Sequence, residues 1–423
     1  MAKEYRILDV TTAAEYAGNH PALASVFGDS DRLVCREIGD GNLNRIFVVR
    51  SPDDPERSVI LKQALPYIRR YPQHRLTRER GHYEALYYQF CEELCSERIP
   101  RFFAHDEGMA LVIMENLDHH VVLRKGLVRR ERYPELARHM GHFLAAMLYS
   151  TSDFHLESTK KKELVKRFIN PELCEVTERA VFTAPYMATY ELNRWNRLLD
   201  PLVSAIREDQ RLKAQVMELK CRFMTCAQAL LHGDLHTGSI MVNEHDTRVI
   251  DPEFCFFGPM GFDVGALLGN YILNWASQEV RIPNPDERAN YRQYLLELMG
   301  DTWHTFRHEF EAMWLRERHE TTPPDFCKSF MLGLLRDSAG YAGCKIIRRI
   351  IGSAHVEDMD GIEDLEQQAR AMNLGLCIGR RLVSERNAIG TIEDVLSIVS
   401  DSRPAYPLTD VHSRGRQHSK TRV

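Results

Sequence analysis

The chain is 423 residues long, 44% hydrophobic and 27% charged, a size and balance that suit one bilobal unit or two domains around a substantial core. A formal net charge of -5 lacks the basic excess of a nucleic-acid binder, and no run of about 18 uninterrupted apolar residues offers a membrane span. Ten cysteines lie scattered without a Cys-x-x-Cys pair, which favours reduced thiols over a disulfide framework or zinc site; with a charged start, Met1 to Arg6, in place of a secretory signal, the chain reads as cytoplasmic.

Residues 7 to 30 form a polar lead-in, where Thr11 or Thr12 is expected to cap a short helix carrying Ala13, Ala14, Tyr16 and Ala17. The pattern then turns to strands at 34–38 and 45–50, joined by Gly39-Asp-Gly-Asn-Leu-Asn44. Glycine and asparagine tolerate the positive φ of such a turn, and its backbone N–H groups can cap phosphate oxygens, although a plain hairpin needs the same residues. A third strand, 58–62, ends in Lys62 at the rim of an apolar run. That ammonium either snorkels to water or faces the turn as a phosphate contact. Two strands around a glycine turn, then a strand ending in lysine, is the order of kinase-like amino-terminal lobes.

Residues 75 to 95 have a helical pattern in which Glu79 and Glu84 are both candidates to pair with Lys62. Glu84, set among Tyr83, Leu86 and Tyr87, lies nearer the packed face. Strands are expected at 101–105 and 110–114, after which Glu115, Asn116 and Leu117 leave the sheet where a hinge between lobes would fall. Backbone groups at such a hinge can bond an adenine edge. From Pro134 to about Lys220 the chain reads as helical, with Leu136, Met140, Phe143, Leu144 and Met147 on one face. Lys160, Lys161, Lys162, Lys166 and Arg167 read as a solvated basic face, and a helix from Leu212 is expected to run to Leu231.

The most informative stretch is Leu231-His-Gly-Asp-Leu-His-Thr-Gly-Ser-Ile-Met-Val242, followed by Arg248-Val-Ile-Asp-Pro-Glu-Phe254. It reads as a loop carrying Asp234, a short strand, a polar turn, and a second strand that delivers Asp251, Pro252 and Glu253 at its end. One acid before a hairpin and two after it suit phosphoryl transfer: the first can orient and deprotonate a hydroxyl, the others can hold magnesium against nucleotide phosphates. Asp263 then sits where a helix N-cap belongs, and in kinase-like folds an aspartate there also accepts hydrogen bonds from the catalytic-loop backbone. Farther on, Arg348 and Arg349 interrupt an apolar helix. They serve either to bind a sugar hydroxyl or phosphate, or to form an internal salt bridge. Residues 401–423 read as a disordered tail.

Taken together the elements describe an α+β, bilobal, protein-kinase-like fold with a small antiparallel sheet lobe at 1–117 and a larger helical lobe at 118–400. Gly39-Asp-Gly-Asn-Leu-Asn44, Leu61-Lys-Gln-Ala-Leu-Pro-Tyr67, Met114-Glu-Asn-Leu117, Leu123-Arg-Lys-Gly-Leu127, His232-Gly-Asp-Leu-His-Thr-Gly-Ser239, Asp251-Pro-Glu-Phe254 and the Arg348-Arg349 pair together resemble the 5-methylthioribose kinase family, within the aminoglycoside-phosphotransferase and choline-kinase-like group. The resemblance spans roughly residues 30 to 375. It implies ATP-dependent phosphorylation of the 1-hydroxyl of 5-methylthioribose, a step of methionine salvage, with Asp234 as base and sugar contact.

By the same resemblance, Asp251 and Glu253 bind magnesium, while Lys62, Asn42 or Asn44, Pro252 and the segment Glu115 to Leu117 hold ATP. Glu84 and Asp263 give structural support, and Arg348 and Arg349 face the sugar and the transferred phosphoryl group. A homodimer is the usual assembly of the family. Where ordinary kinases carry a metal-binding asparagine five residues after the catalytic aspartate, this chain has Ser239, and Glu253 can supply the missing oxygen. The family's Gly-Glu-Ser-Trp-Pro segment is replaced here by Arg69-Arg-Tyr-Pro-Gln-His-Arg-Leu76, which leaves the sugar's 5-substituent open. The alternatives are a kinase of a related 5-deoxypentose or other small alcohol, and a non-catalytic nucleotide-binding scaffold.

Overall fold

The structure, a computed structural model, describes residues 5–28, 32–39, 43–69, 71–317, 323 and 325–405. Five strands form an antiparallel sheet in the order Val34–Ile38, Asn44–Arg50, Ser58–Ala64, Leu111–Glu115, Phe102–Asp106. Strand alternation sorts its side chains between two faces. Phe47, Val49, Val59, Leu61, Leu111 and Ile113 pack under the amino-terminal segment, against Leu8, Ala13, Tyr16 and Leu23. Ile60, Val112 and Met114 point the other way, into the core that contains the helix Arg80–Cys95. Lys62, two residues after Ile60 and opposite Val112, is thereby sent to the helix side.

The cap of the first helix, Val10–Gly18, is Asp9: its carboxylate accepts from the N–H groups of Thr11 and Thr12. Of Thr11 and Thr12, the two expected caps, neither holds that position, and Thr12 supplies the reciprocal hydroxyl of a capping box instead. Between the third strand and the Arg80–Cys95 helix, the segment without tryptophan folds as a short antiparallel pair, Tyr67–Ile68 with Tyr71–Arg75.

Beyond the sheet the chain is mainly helical. The helix Gly261–Arg281 is buried from Gly261 through Gln278, and it packs on Phe326–Ile351 and Leu365–Ser384. No helix among the described residues is long and apolar enough to cross a membrane. Two small β units clamp the acidic loops. Ile240–Val242 pairs with Thr247–Val249 and with Val121–Val122, while Ala229–Leu231 pairs with Phe256–Gly258. The helix expected to reach Leu231 therefore stops at Thr225, because the apolar triplet 229–231 is needed as a strand.

Two further expectations are corrected. Lys161 is not part of a solvated face: it is buried, donates to Asp153 Oδ2 at 2.7 Å and the Gln228 carbonyl at 2.8 Å, and lies over the Phe257 ring. The expected tail begins in ordered structure, with Asp401 closing the helix Ile392–Asp401 and Ser402 buried, its hydroxyl on the Ile398 carbonyl. Residues 406–423 of that tail lie outside the described residues.

Asn170 fastens the helical lobe to the loop after Asp251. Fully buried and at φ 41°, it donates from Nδ2 to the carbonyls of Glu253 (2.9 Å) and Cys255 (3.0 Å). Asn170→Ala strands both carbonyls and forces alanine into left-handed backbone, so it is expected to lower the unfolding free energy by about 2–4 kcal/mol in a denaturant titration.

Candidate active site

A cleft of ≈ 540 Å³ is lined by Asn44, Lys62, Asp234, Asp251, Glu253 and Arg349 among others. On the sheet side, the Lys62 ammonium lies 2.8 Å from Glu84 Oε2 and 2.6 Å from Asp251 Oδ1. Burial disfavours that charge, but the carboxylates of Asp251, Glu84 and Glu253 outweigh it and hold Lys62 above the usual lysine range. Burial likewise opposes the Asp251 carboxylate, and Lys62 prevails, holding its pKa low. Glu79 stands at the amino-terminal boundary of the same helix, away from this pair.

Asp251 has a left-handed backbone, φ 63°, a conformation aspartate tolerates better than most residues. Its side chain is 40% exposed. Pro252 opens the buried turn Pro252–Phe254, and Glu253 within it accepts from Asn44 Nδ2 at 2.9 Å and pairs with Arg80 Nε at 3.2 Å. Arg80, wholly buried, also donates to the carbonyls of Leu65 (2.8 Å) and Leu43 (3.1 Å). One guanidinium thus ties the end of the glycine turn to the acidic loop. Carboxylates such as these are hard oxygen donors, and Asp251 and Glu253 lining one cleft fit a magnesium ion in kind.

Across the cleft, Asp263 shapes the loop that carries Asp234. Its Oδ2 accepts the His232 N–H at 2.6 Å and its Oδ1 the Gly233 N–H at 3.1 Å. It is the third residue of its helix, with Met260 at the N-cap, so it does not cap that helix as expected: the chain has turned helical two residues earlier. Burial raises Asp263 to about 6, against the pull of the two N–H groups. Burial lowers His232 to about 4, leaving a neutral ring whose Nε2 lies 2.8 Å from the Ile250 carbonyl. Gly233 has φ +84°, and a Cβ there would stand 2.0 Å from the Phe254 carbonyl oxygen. At Gly238 a Cβ would come within 2.6 Å of Arg124 Nη1.

The Asp234 carboxylate meets Lys345 Nζ at 2.9 Å on Oδ1, and His236 Nε2 (3.4 Å) and Arg349 Nη2 (3.7 Å) on Oδ2. Burial opposes its charge; Lys345, His236 and Arg349 overcome that and hold it well below the usual carboxylate range. Arg349 lines the cleft and Arg348 does not. Arg349 Nε and Arg348 Nη1 are buried without hydrogen-bond partners. Ser239 turns its hydroxyl back on the loop, toward the Asp234 carbonyl (3.3 Å) and His236 Nδ1 (3.2 Å).

Other expected positions lie apart from the cleft lining. The Glu115 N–H donates to the Arg101 carbonyl at 2.9 Å, Asn116 Nδ2 to Ser58 Oγ at 3.0 Å, and the Leu117 carbonyl accepts from the His120 N–H at 3.0 Å. None of the three lines the cleft, whereas Ile46 and Val122 do. Asn42 lies outside the described residues. Conversely, Lys345 and Arg80 belong to no motif marked in the sequence, and Arg124 is marked there only as part of Leu123-Arg-Lys-Gly-Leu127. Lys345 precedes Arg348 and Arg349 by three and four residues, and Arg80 precedes Glu84 by four, so helical spacing put each on a face already marked.

The phosphotransferase enzyme family profile matches residues 34–308. Methylthioribose kinase 1 of Oryza sativa subsp. japonica is 39% identical over 416 residues, 93% of this chain and 94% of that protein. The methylthioribose kinase of Geobacillus kaustophilus (strain HTA426) is 39% identical over 383 residues, 89% of this chain and 93% of its own. The chain belongs to the methylthioribose kinase family. A solved glucosamine kinase with bound glucosamine, ADP and phosphate covers 88% of this chain and 86% of its own at 12% identity, with a TM-score of 0.47.

In this member of the methylthioribose kinase family a second cavity of ≈ 430 Å³ shares Leu43, Arg349 and His355 with the cleft. Ile68, and Leu76 from the stretch that lacks tryptophan, line it together with Val176, Ala180 and Leu192.

Asp263→Ala is expected to leave two buried N–H groups without an acceptor and to cost about 2–5 kcal/mol, read as a fall in denaturation midpoint. Asp263→Asn, which keeps an acceptor oxygen, should fall between alanine and the parent.

Proposed function

We propose that the chain transfers the γ-phosphoryl group of ATP to the 1-hydroxyl of 5-methylthioribose, giving the 1-phosphate, in methionine salvage. The observation that carries this is a single cleft lined by Lys62, Asp234, Asp251 and Glu253 in a chain 39% identical to a methylthioribose kinase over 93% of its length. Phosphoryl transfer passes through a loose transition state with charge spread over equatorial oxygens, so positioning and electrostatics carry the catalysis.

Asp234 is the base in this reading: Oδ2 orients the sugar hydroxyl and takes its proton, while the surrounding cations keep the carboxylate ionised. Lys62 donates to ATP phosphates, held by Glu84 within its strand, which runs on to Ala64 and does not end at the lysine as expected. Asn44, Asn42 and the turn's N–H groups cradle the phosphates, and the backbone of Glu115, Asn116 and Leu117 receives the adenine at a hinge between lobes 1–117 and 118–400. Asp251 and Glu253, joined by Pro252, would hold magnesium, which when bound neutralises charge on the phosphate oxygens. The unpaired guanidinium nitrogens of Arg348 and Arg349 are donors for the sugar and for the oxygens of the transferred group. The apolar wall of the second cavity receives the methylthio group. A cytoplasmic homodimer completes the reading.

Asp234→Asn is expected to lose at least about 100-fold in kcat with ATP and 5-methylthioribose, measured below its melting temperature, which should itself fall because the buried Lys345 ammonium loses its carboxylate. Unchanged turnover would remove Asp234 from its role. Ribose, which has no apolar 5-substituent to bury, should show a KM about tenfold above that of 5-methylthioribose with ATP saturating.

A further inference from the structure

Lys345 stands on the buried side of the helix Phe326–Ile351, 2% exposed, and its ammonium lies 4.5 Å from the centre of the Phe262 ring. A buried ammonium is costly unless an anion meets it. Among the described residues the carboxylate within ion-pair distance of it is Asp234, at 2.9 Å.

The groups facing Asp234 come from four elements. Lys345, Arg348 and Arg349 belong to one helix, Arg124 to the helix Leu123–Val128, His236 to the catalytic loop itself, and Asp263 to the helix Gly261–Arg281. Asp263 is engaged on both oxygens by the loop N–H groups. His236 is a neutral ring, lowered to about 4 by burial. Arg349 comes no nearer than 3.7 Å, and to Oδ2, and Arg124 is braced by Asn270 (3.0 Å) and Asp358 (3.2 Å). The loop therefore has no cation of its own, and the approach to Oδ1 belongs to Lys345.

We propose that Lys345 is a positioning residue for phosphoryl transfer: by taking up Oδ1 it fixes the Asp234 side chain and leaves Oδ2 to accept the substrate's proton. This rests on the reading of Asp234 as base. In the step the sugar O–H bond breaks and its proton passes to Oδ2; the sugar oxygen bonds to the γ-phosphorus, and the bond from that phosphorus to the bridging oxygen breaks, releasing ADP. Burial lowers Lys345 to about 8 against the pull of Asp234, so below that pH it is charged and keeps its protons through the step. It does not line the cleft, so it acts through Asp234 and not on the nucleotide.

The sign of the pH effect follows. Only the ionised carboxylate accepts the proton, and Lys345 holds that form down to low pH. Without the cation, burial pushes the Asp234 pKa up, and the acid limb of the activity profile moves to higher pH.

The test is the pH profile of kcat for K345M, K345Q and K345R with ATP and 5-methylthioribose, with melting temperatures recorded alongside. K345M should shift the acid limb upward by at least about one unit, a loss that grows to about tenfold below the parent's limb. K345Q should shift the limb equally but retain more of the high-pH plateau, because its amide still donates to Oδ1. K345R should keep the parent's limb at a lower plateau, and KM for ATP should stay within about twofold in all three. A limb that stays in place in both K345M and K345Q, whether kcat is unchanged or falls uniformly at every pH, overturns the proposal. If Asp234→Asn turns over normally, the base reading fails and this proposal with it. If Asp234→Asn is inactive and the limb does not move, the proposal alone fails.

Discussion

The ammonium of Lys62 joins three segments that are far apart in the chain: its own strand, the helix carrying Glu84 22 residues on, and the acidic loop carrying Asp251 189 residues on. Strand alternation sends Lys62 into a protein interior, where a lone charge is untenable, so the two carboxylates must come to it. Removing one partner from such a pair costs about 3–5 kcal/mol, most of it the penalty of the charge left behind. Arg80 repeats the device one turn earlier on the same helix, gathering Asn44 and Glu253 as Lys62 gathers Glu84 and Asp251. Two buried cations thus hold the two proposed metal ligands against the sheet lobe.

The other wall of the cleft has the opposite polarity. There one carboxylate, Asp234, is met by Lys345 and Arg349, with Arg348 and Arg124 close behind. Arg348 Nη1 and Arg349 Nε are buried without hydrogen-bond partners, an arrangement that favours an incoming oxygen-rich anion. A neutral sugar that becomes a phosphate ester gains charge where these donors wait. A cationic amino-alcohol would bring its charge among like charges, which argues against that class of acceptor.

Much of this was legible in the sequence. The sheet strands, the Asp234 loop and hairpin and the Glu84 position all follow from period, turn chemistry and acid spacing, because each is a local signal. What escaped was set by tertiary contact. Lys161 looks like its solvated neighbours until the Gln228 carbonyl and Phe257 ring close over it. The triplet 229–231 looks like the end of a helix until Phe256–Gly258 pairs with it. Arg80, Arg124 and Lys345 are ordinary basic residues in the sequence; their side-chain partners lie 36 to 234 residues away, a separation no local pattern records.

The two halves of the acidic motif are also one mechanical unit, which explains why glycine is needed where it is. At Gly233 the backbone passes so close to Phe254 that any side chain would enter the Phe254 carbonyl. The loop bearing Asp234 and the turn bearing Glu253 are therefore in backbone contact, and Asp263 fixes the first while Asn170 fixes the second. Gly238 leaves room for the Arg124 guanidinium, which Asn270 and Asp358 hold in turn. The distance between the proposed base and the proposed metal ligands is thus set by contacts at 233 and 254, so a substitution there would alter the reaction geometry while leaving every acid in the chain.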